Sequence, residues 1–164
     1  MPEIKVTIRP YEDGDSQSIL NLITNIEQNE FNITTSQDGQ LPLANIKDYY
    51  SNGSSGIWVA EAGNTVVGTI SLLDITNNAA ALQKMFVAVD YRSSESGVAN
   101  KLLTHLLNEA QTRGVRDIYL GTTAALDAAH RFYEKHGFVR YSKTDLPSRF
   151  PIMAMDSRFY HKSI

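Results

Sequence analysis

Lys84 to Leu103 reads KMFVAVDYRSSESGVANKLL, and the fold turns on this stretch. The apolar run KMFVAV has the composition of a buried strand. Ser93, Ser94, Ser96, Gly97 and Ala99 then leave little side-chain bulk in the connection. Helical spacing begins at once: Val98, Leu102, Leu106 and Ala110 recur every four residues, with Leu103 and Leu107 beside them. A strand that enters a helix this way exposes the helix's first unpaired N–H groups. It also exposes the positive end of the dipole. Small side chains let an anion such as a phosphate reach those groups. The same residues also read as a plain strand-to-helix turn with serine caps, and neither GxGxxG nor GxxxxGKS/T is present.

Working outward, Ile4, Val6 and Ile8 alternate with polar residues and predict a half-buried strand ended by Pro10. Asp13-Gly14-Asp15 opens a helix whose apolar face carries Ile19, Leu20, Leu22, Ile23 and Ile26. A polar loop follows, then a short helix over Leu43–Tyr50 and a flexible SNGSSG turn. Ile57–Glu61, Thr65–Ile75 and Ala80–Val89 read as an antiparallel meander, with Gly68 as a bulge. Beyond the quoted stretch, Gly114 suits a helix C-cap and Asp117–Gly121 a short buried strand. Ala124–His136 reads as a helix, and Phe138–Tyr141 and Pro151–Met155 as closing strands. The order is β-α-α-β-β-β-α-β-α-β-β. It predicts a single α/β (α+β) domain over residues 1–164 built on one mixed central sheet.

Composition narrows the function. A net charge of −3 argues against a general nucleic-acid binder, which needs a basic face. With no cysteine, a disulfide, a thiolate metal site and a cysteine nucleophile are excluded. The four histidines show no metal-ligand spacing, so no metal is expected. No apolar run approaches the roughly 20 residues that span a bilayer, so no membrane partner is expected. The N-terminus lacks the apolar core of a signal peptide. The expected compartment is the cytoplasm.

The quoted loop, with AHRFYEKHGF at Ala129–Phe138, resembles the GNAT superfamily of N-acetyltransferases. Their cofactor loop reads Gln/Arg-x-x-Gly-x-Gly/Ala between a strand and a helix, and Ser94 to Ala99 fits its last four positions. Ser94 stands where Gln or Arg is usual, and Arg92 sits two residues early, as if the loop carried an insertion. Leu126 occupies a position where the family often has asparagine. The ending LPSRFPIMAMDSRFY resembles that of a bacterial subgroup. The resemblance implies a GNAT-like fold with acetyl-CoA as cosubstrate. The loop residues Arg92, Ser94, Ser96, Gly97, Val98 and Ala99 would hold its pyrophosphate, with the Glu95 side chain turned to solvent. Backbone of the strand Met85, Phe86 and Val87 would pair with the pantetheine arm.

The reaction this implies is direct acetyl transfer to a primary amine in a ternary complex, since no cysteine can carry the acetyl group. An amine with a pKa near ~10.4 arrives protonated and must lose its proton. The departing thiolate needs one. The resemblance places Tyr133 as that acid; its helical spacing with Ala125, Ala129 and Phe132 also suits a core aromatic. His130, one turn earlier, can contact the cofactor, although a surface histidine is the commoner case. For the base, Glu30, Asp74, Asp90 and Asp156 are the acids to inspect, because the central strands contain none.

Glu12–Asp48 holds Glu12, Asp13, Asp15, Glu27, Glu30, Asp38 and Asp48 against Lys47 alone. The family uses this region to cover the acceptor, and an acidic face favours a cationic acceptor, though it also reads as a solvated helix. Glu30 and Phe31 are the expected acceptor contacts. Arg149-Phe150-Pro151 and Phe159-Tyr160 read either as closing the site or as a homodimer contact. A non-catalytic acyl-CoA-binding domain is the alternative.

Overall fold

A computed structural model describes residues 5–26, 46–92, 97–123, 127–153 and 156–164. The elements are β1 (Val6–Pro10), α1 (Ser16–Thr24), α2 (Ile46–Tyr49), β2 (Gly56–Ala62), β3 (Thr65–Asp74) and β4 (Ala79–Val87). They continue with α3 (Val98–Thr112), β5 (Asp117–Thr122), α4 (Asp127–Lys135), β6 (Val139–Tyr141) and β7 (Arg158–Ser163). The order of helices and strands is the one expected. They form one seven-stranded sheet, β1-β2-β3-β4-β5-β7-β6. All neighbours are antiparallel except β4 and β5. Among the described residues, no helix is long and apolar enough to cross a membrane.

The final strand differs from the sequence reading. Residues 158–163, not Pro151–Met155, pair with β5, and residues 154–155 lie outside the described residues. Asp156 closes a turn there: its Oδ2 accepts the Met153 N–H at 2.9 Å, and its own N–H donates to the Met153 carbonyl at 3.1 Å. Phe159 and Tyr160 then enter the sheet opposite Gly121 and Leu120. Phe150, Phe159 and Tyr160 are all buried in the chain's own core.

The sheet is covered on both faces. On one, α3 and α4 bury Val98, Leu102, Leu103, Leu106 and Tyr133 against Ile70, Leu72, Leu82 and Leu120. Each fully buried leucine contributes about 1.5–3 kcal/mol. On the other, α1 and α2 cover Ile57 and Val59, while Phe150 and Phe159 cover Ala79 and Ala81. Gly68 sets how close α3 comes: a Cβ there would lie 2.9 Å from Leu102 Cδ1 and 3.3 Å from Val98 Cγ1.

The register of β3 shifts twice. The expected bulge near Gly68 is present, since Ala60 pairs with Gly68 but Glu61 with Val66. A second bulge, unanticipated, lies in β4: Thr69 pairs with Phe86 but Ser71 with Gln83. Lys84, at φ 53°, takes up the extra residue, and its carbonyl accepts the Thr69 hydroxyl at 2.6 Å. Because side chains alternate along a strand, one extra residue moves Met85 and Val87 onto the face of Ala80 and Leu82. Phe86 joins the α1–α2 face.

Candidate active site

The parallel pair β4–β5 is joined only at Ala79/Asp117, Ala80/Ile118 and Ala81/Tyr119. Beyond these the strands part, and among the described residues the remaining edge of β4 faces a gap rather than a partner strand. The Ala88 N–H donates to the Val67 carbonyl at 2.8 Å on the β3 side. Alternation along the antiparallel pair then makes Gly68/Val87 a non-hydrogen-bonded pair, so the Val87 N–H and C=O point into the gap. Phe86 is paired with Thr69, and its backbone groups face β3. Of the backbone groups expected to pair with a ligand arm, those of Val87 are on the open edge and those of Phe86 are not. Arg92 reaches back to this edge, its Nε donating to the Val87 carbonyl at 2.8 Å.

The α3 N-terminus stands beside the gap. Gly97 is its N-cap, at φ 60° and ψ 22°, and its carbonyl accepts the Lys101 N–H at 2.9 Å. A left-handed residue here costs a β-carbon-bearing side chain about 1–2 kcal/mol. Val98 is buried beneath the helix and Ala99 is half-buried. Neither side chain covers the first turn. Ser94, Ser96 and Glu95 lie outside the described residues, as do Glu30, Phe31 and Leu126.

Across the gap, α4 is docked on β7. The Tyr160 hydroxyl donates to Glu134 Oε2 at 2.7 Å. Tyr133 is 6% exposed and packs edge-on to Phe132 and Phe138, with Tyr160 tilted beside it. Its hydroxyl makes no hydrogen bond among the described residues, and burial pushes its pKa up, so it stays a neutral proton donor. His130 is 3% exposed, which corrects the surface reading. Its Nε2 lies 2.9 Å from the Thr123 carbonyl and its Nδ1 2.7 Å from an Arg158 nitrogen. A carbonyl only accepts and a guanidinium only donates, so the ring is held as the Nε2–H tautomer. Both ring nitrogens are engaged in these two contacts, which tie α4 to Thr123 and to β7.

Two polar groups that sequence reasoning did not single out sit on the opposite face. The Tyr50 hydroxyl donates to Gln83 Oε1 at 2.7 Å. Burial raises the Tyr50 pKa and keeps the phenol neutral. Beside them, Ser71 Oγ is fully buried and has no partner among the described residues. No pattern marks them in the sequence, since the β4 bulge decides which way Gln83 turns. The acids to inspect separate clearly. Asp74 accepts the Ser54 and Thr76 N–H groups at the far end of β3. Asp90 is exposed in a 3-10 turn. Asp156 lies against Gly121 of β5, where a Cβ would stand 2.5 Å from its Oδ2. Asp15 is turned to Arg9, with bonds of 2.8 and 2.9 Å.

The split between the two parallel strands thus lies with a helix N-terminus on one side and a buried phenol on the other. A model described as "Acetyltransferase (GNAT) family" matches residues 20–138, and the chain belongs to that family. It is similar to a GNAT-family acetyltransferase of Staphylococcus aureus Mu50, at 35% identity and a TM-score of 0.91, covering 97% of this chain and 99% of that one. An acetyltransferase of Streptococcus agalactiae 2603 is 27% identical with a TM-score of 0.87, covering 97% of this chain and 98% of that one. Among sequences, the chain is 30% identical over 107 residues to mouse probable N-acetyltransferase family 8 member 5. The match takes in 63% of this chain and 47% of the mouse protein, so the chain spans about half the length of that relative.

Proposed function

We propose that this chain transfers an acetyl group from acetyl-CoA directly to a primary amine. The observation that carries the reading is the split between β4 and β5, whose open edge presents the Val87 N–H beside the α3 N-terminus. An extended amide arm fits that edge as an added strand. The free N–H groups that open α3, from Gly97 through Ala99, suit the pyrophosphate, with Ser94 and Ser96 as further loop contacts. Met85 and Val87 line the α3–α4 side of the gap. Phe86, on the other face, would meet the acceptor instead. Arg92 holds the Val87 carbonyl and so shapes the arm's track. Tyr133 supplies the proton for the thiolate. Glu30 and Phe31 are retained as acceptor contacts. Relatives named N-acetyltransferases support the chemistry.

We test this by calorimetric titration with acetyl-CoA, for the wild type and Gly97→Glu, followed by thiol release with a panel of amines. Micromolar binding lost in the variant, with thiol release for at least one amine, is the expected result. Absence of wild-type binding sinks the cosubstrate assignment. Binding with no turnover for any amine favours the non-catalytic acyl-CoA-binding domain.

A further inference from the structure

We propose that the carboxylate of Asp156 binds the acceptor's ammonium group and takes its proton as the C–N bond forms. The proposal rests on the acetyl-transfer reading above.

The placement follows from register. β4 and β5 run parallel with Ala81 level with Tyr119. Two residues further along each strand, past the end of the ladder, come Gln83 and Gly121, and both stand on the face away from α3 and α4. Gly121 has no side chain, and the Asp156 carboxylate occupies the space a Cβ would fill. The split is therefore flanked on this face by Gln83 of β4 and by Asp156, which packs against Gly121 of β5. Gln83 is fixed through Oε1 by Tyr50, which leaves its amide N–H groups as donors on this side. Tyr133 approaches the same split from the other face, packed on Tyr160 opposite Leu120. An acyl group held between the strands has its sulfur side toward one face and its amine side toward the other.

Several other described acids stand away from the open end of the split. Asp15 and Glu61 hold Arg9. Glu109 holds Arg113, Asp117 faces His161 at the start of β5, and Glu134 accepts from Tyr160. Asp74 caps a turn at the opposite end of the sheet. Asp156 alone among these acids lies at the open end of the split. Two bonds fix its place: Oδ2 accepts the Met153 N–H at 2.9 Å, and the following Ser157 N–H is bonded to the Thr122 carbonyl at 2.9 Å. A fixed carboxylate on the amine side selects a cationic acceptor and orients its nitrogen.

The step balances as follows. The amine nitrogen bonds to the thioester carbonyl carbon and the C–S bond breaks. An ammonium acceptor gives up two protons overall. One passes through Asp156 to water. The other replaces, through solvent, the proton Tyr133 gives to the thiolate.

The test uses the full chain and the amine giving most thiol release among spermidine, lysine ethyl ester and alanine amide. Asp156→Asn should lower kcat by about 10²-fold, within the range for losing a positioned base. The acetyl-CoA Kd and the melting temperature should stay unchanged. The deficit should narrow as pH rises toward the amine's own pKa, ~10 for a lysine-like amine, because the amine then arrives neutral. A structural defect would not narrow with pH. Gly121→Ala, which displaces the carboxylate while keeping Asp156, should lower kcat in the same direction. Wild-type turnover with an equally active Asp156→Asn overturns the proposal and leaves the acetyl-transfer reading standing. A wild type that binds no acetyl-CoA, or transfers to none of these amines, overturns both.

Discussion

Arg92 Nε donates to the carbonyl of Val87 across the five residues that lead out of β4. The bond closes one of the two backbone groups that Val87 turns to the split and leaves the other, its N–H, available. It also fixes the path of the chain from the strand edge toward the α3 N-terminus. An arginine that read in the sequence as a displaced phosphate contact is thus tied to the strand edge.

Arg92→Ala should therefore weaken acetyl-CoA binding by about tenfold, equivalent to ~1.4 kcal/mol. Arg92→Lys should recover little of it. A lysine keeps the charge but has no Nε–H at that reach and no planar fork. Calorimetry on both variants separates the geometric role from simple charge.

Gly97→Ala places a β-carbon at φ 60°. The cost is about 1–2 kcal/mol for a left-handed residue. Thermal unfolding should show this loss. The backbone strain also tilts the first turn of α3, so acetyl-CoA affinity should fall with stability. Asn at the same position, which tolerates left-handed backbone better, should recover part of both.

Gly68→Val tests how closely α3 is seated. Its Cβ would meet Leu102 Cδ1 at 2.9 Å and the Phe86 carbonyl at 3.2 Å. Overpacking of this kind costs about 1–3 kcal/mol. Denaturant unfolding should show a lower midpoint with an unchanged slope. An unchanged midpoint would mean that α3 shifts freely, contrary to the packing described.

The sequence carried the element order because each helix and most strands are periodic. Val98, Leu102, Leu106 and Ala110 announce α3 by spacing alone, and all four are buried. What periodicity could not show is where a register breaks. Nothing local marks Lys84 as a left-handed residue, yet its bulge decides that Val87 and Gln83 line opposite sides of the split. The ending was misread for a related reason. PIMAM has strand composition, but Asp156 captures the Met153 N–H and turns the chain before pairing begins. His130 looked solvent-facing because its two partners, the Thr123 carbonyl and Arg158, come from other elements. Composition along one helix does not reveal them.

If Tyr133 protonates the departing thiolate as proposed, Tyr133→Phe should lower kcat while leaving the acetyl-CoA Kd within about twofold. Burial holds the phenol's pKa above its ordinary value near ~10, so it remains protonated through the neutral range. The wild-type rate should show no alkaline loss from this group below about pH 10. The stability sign agrees. A folded pKa raised above the unfolded one contributes fully below pH ~10 and is lost as pH rises beyond it.

The Arg9–Asp15 pair gives the opposite pH dependence. Arg9 donates to both Asp15 oxygens and to Glu61, and Asp15 also accepts the Glu12 N–H at 2.9 Å. The Arg9 bond is the main reason the Asp15 carboxyl sits below its ordinary pKa. A depressed folded pKa stabilises above the unfolded value near ~3.9 and is lost as pH falls through the folded one. Asp15→Asn should therefore cost about 1.5–3 kcal/mol at pH 7, the scale of a hydrogen bond to a charged group. Below both pKa values the wild-type carboxyl is itself neutral, and the two proteins should converge in stability. Urea titrations at pH 7 and at successive steps into acid measure this. A gap that stays constant down to the lowest pH would mean that Asp15 acts through shape and not through its charge.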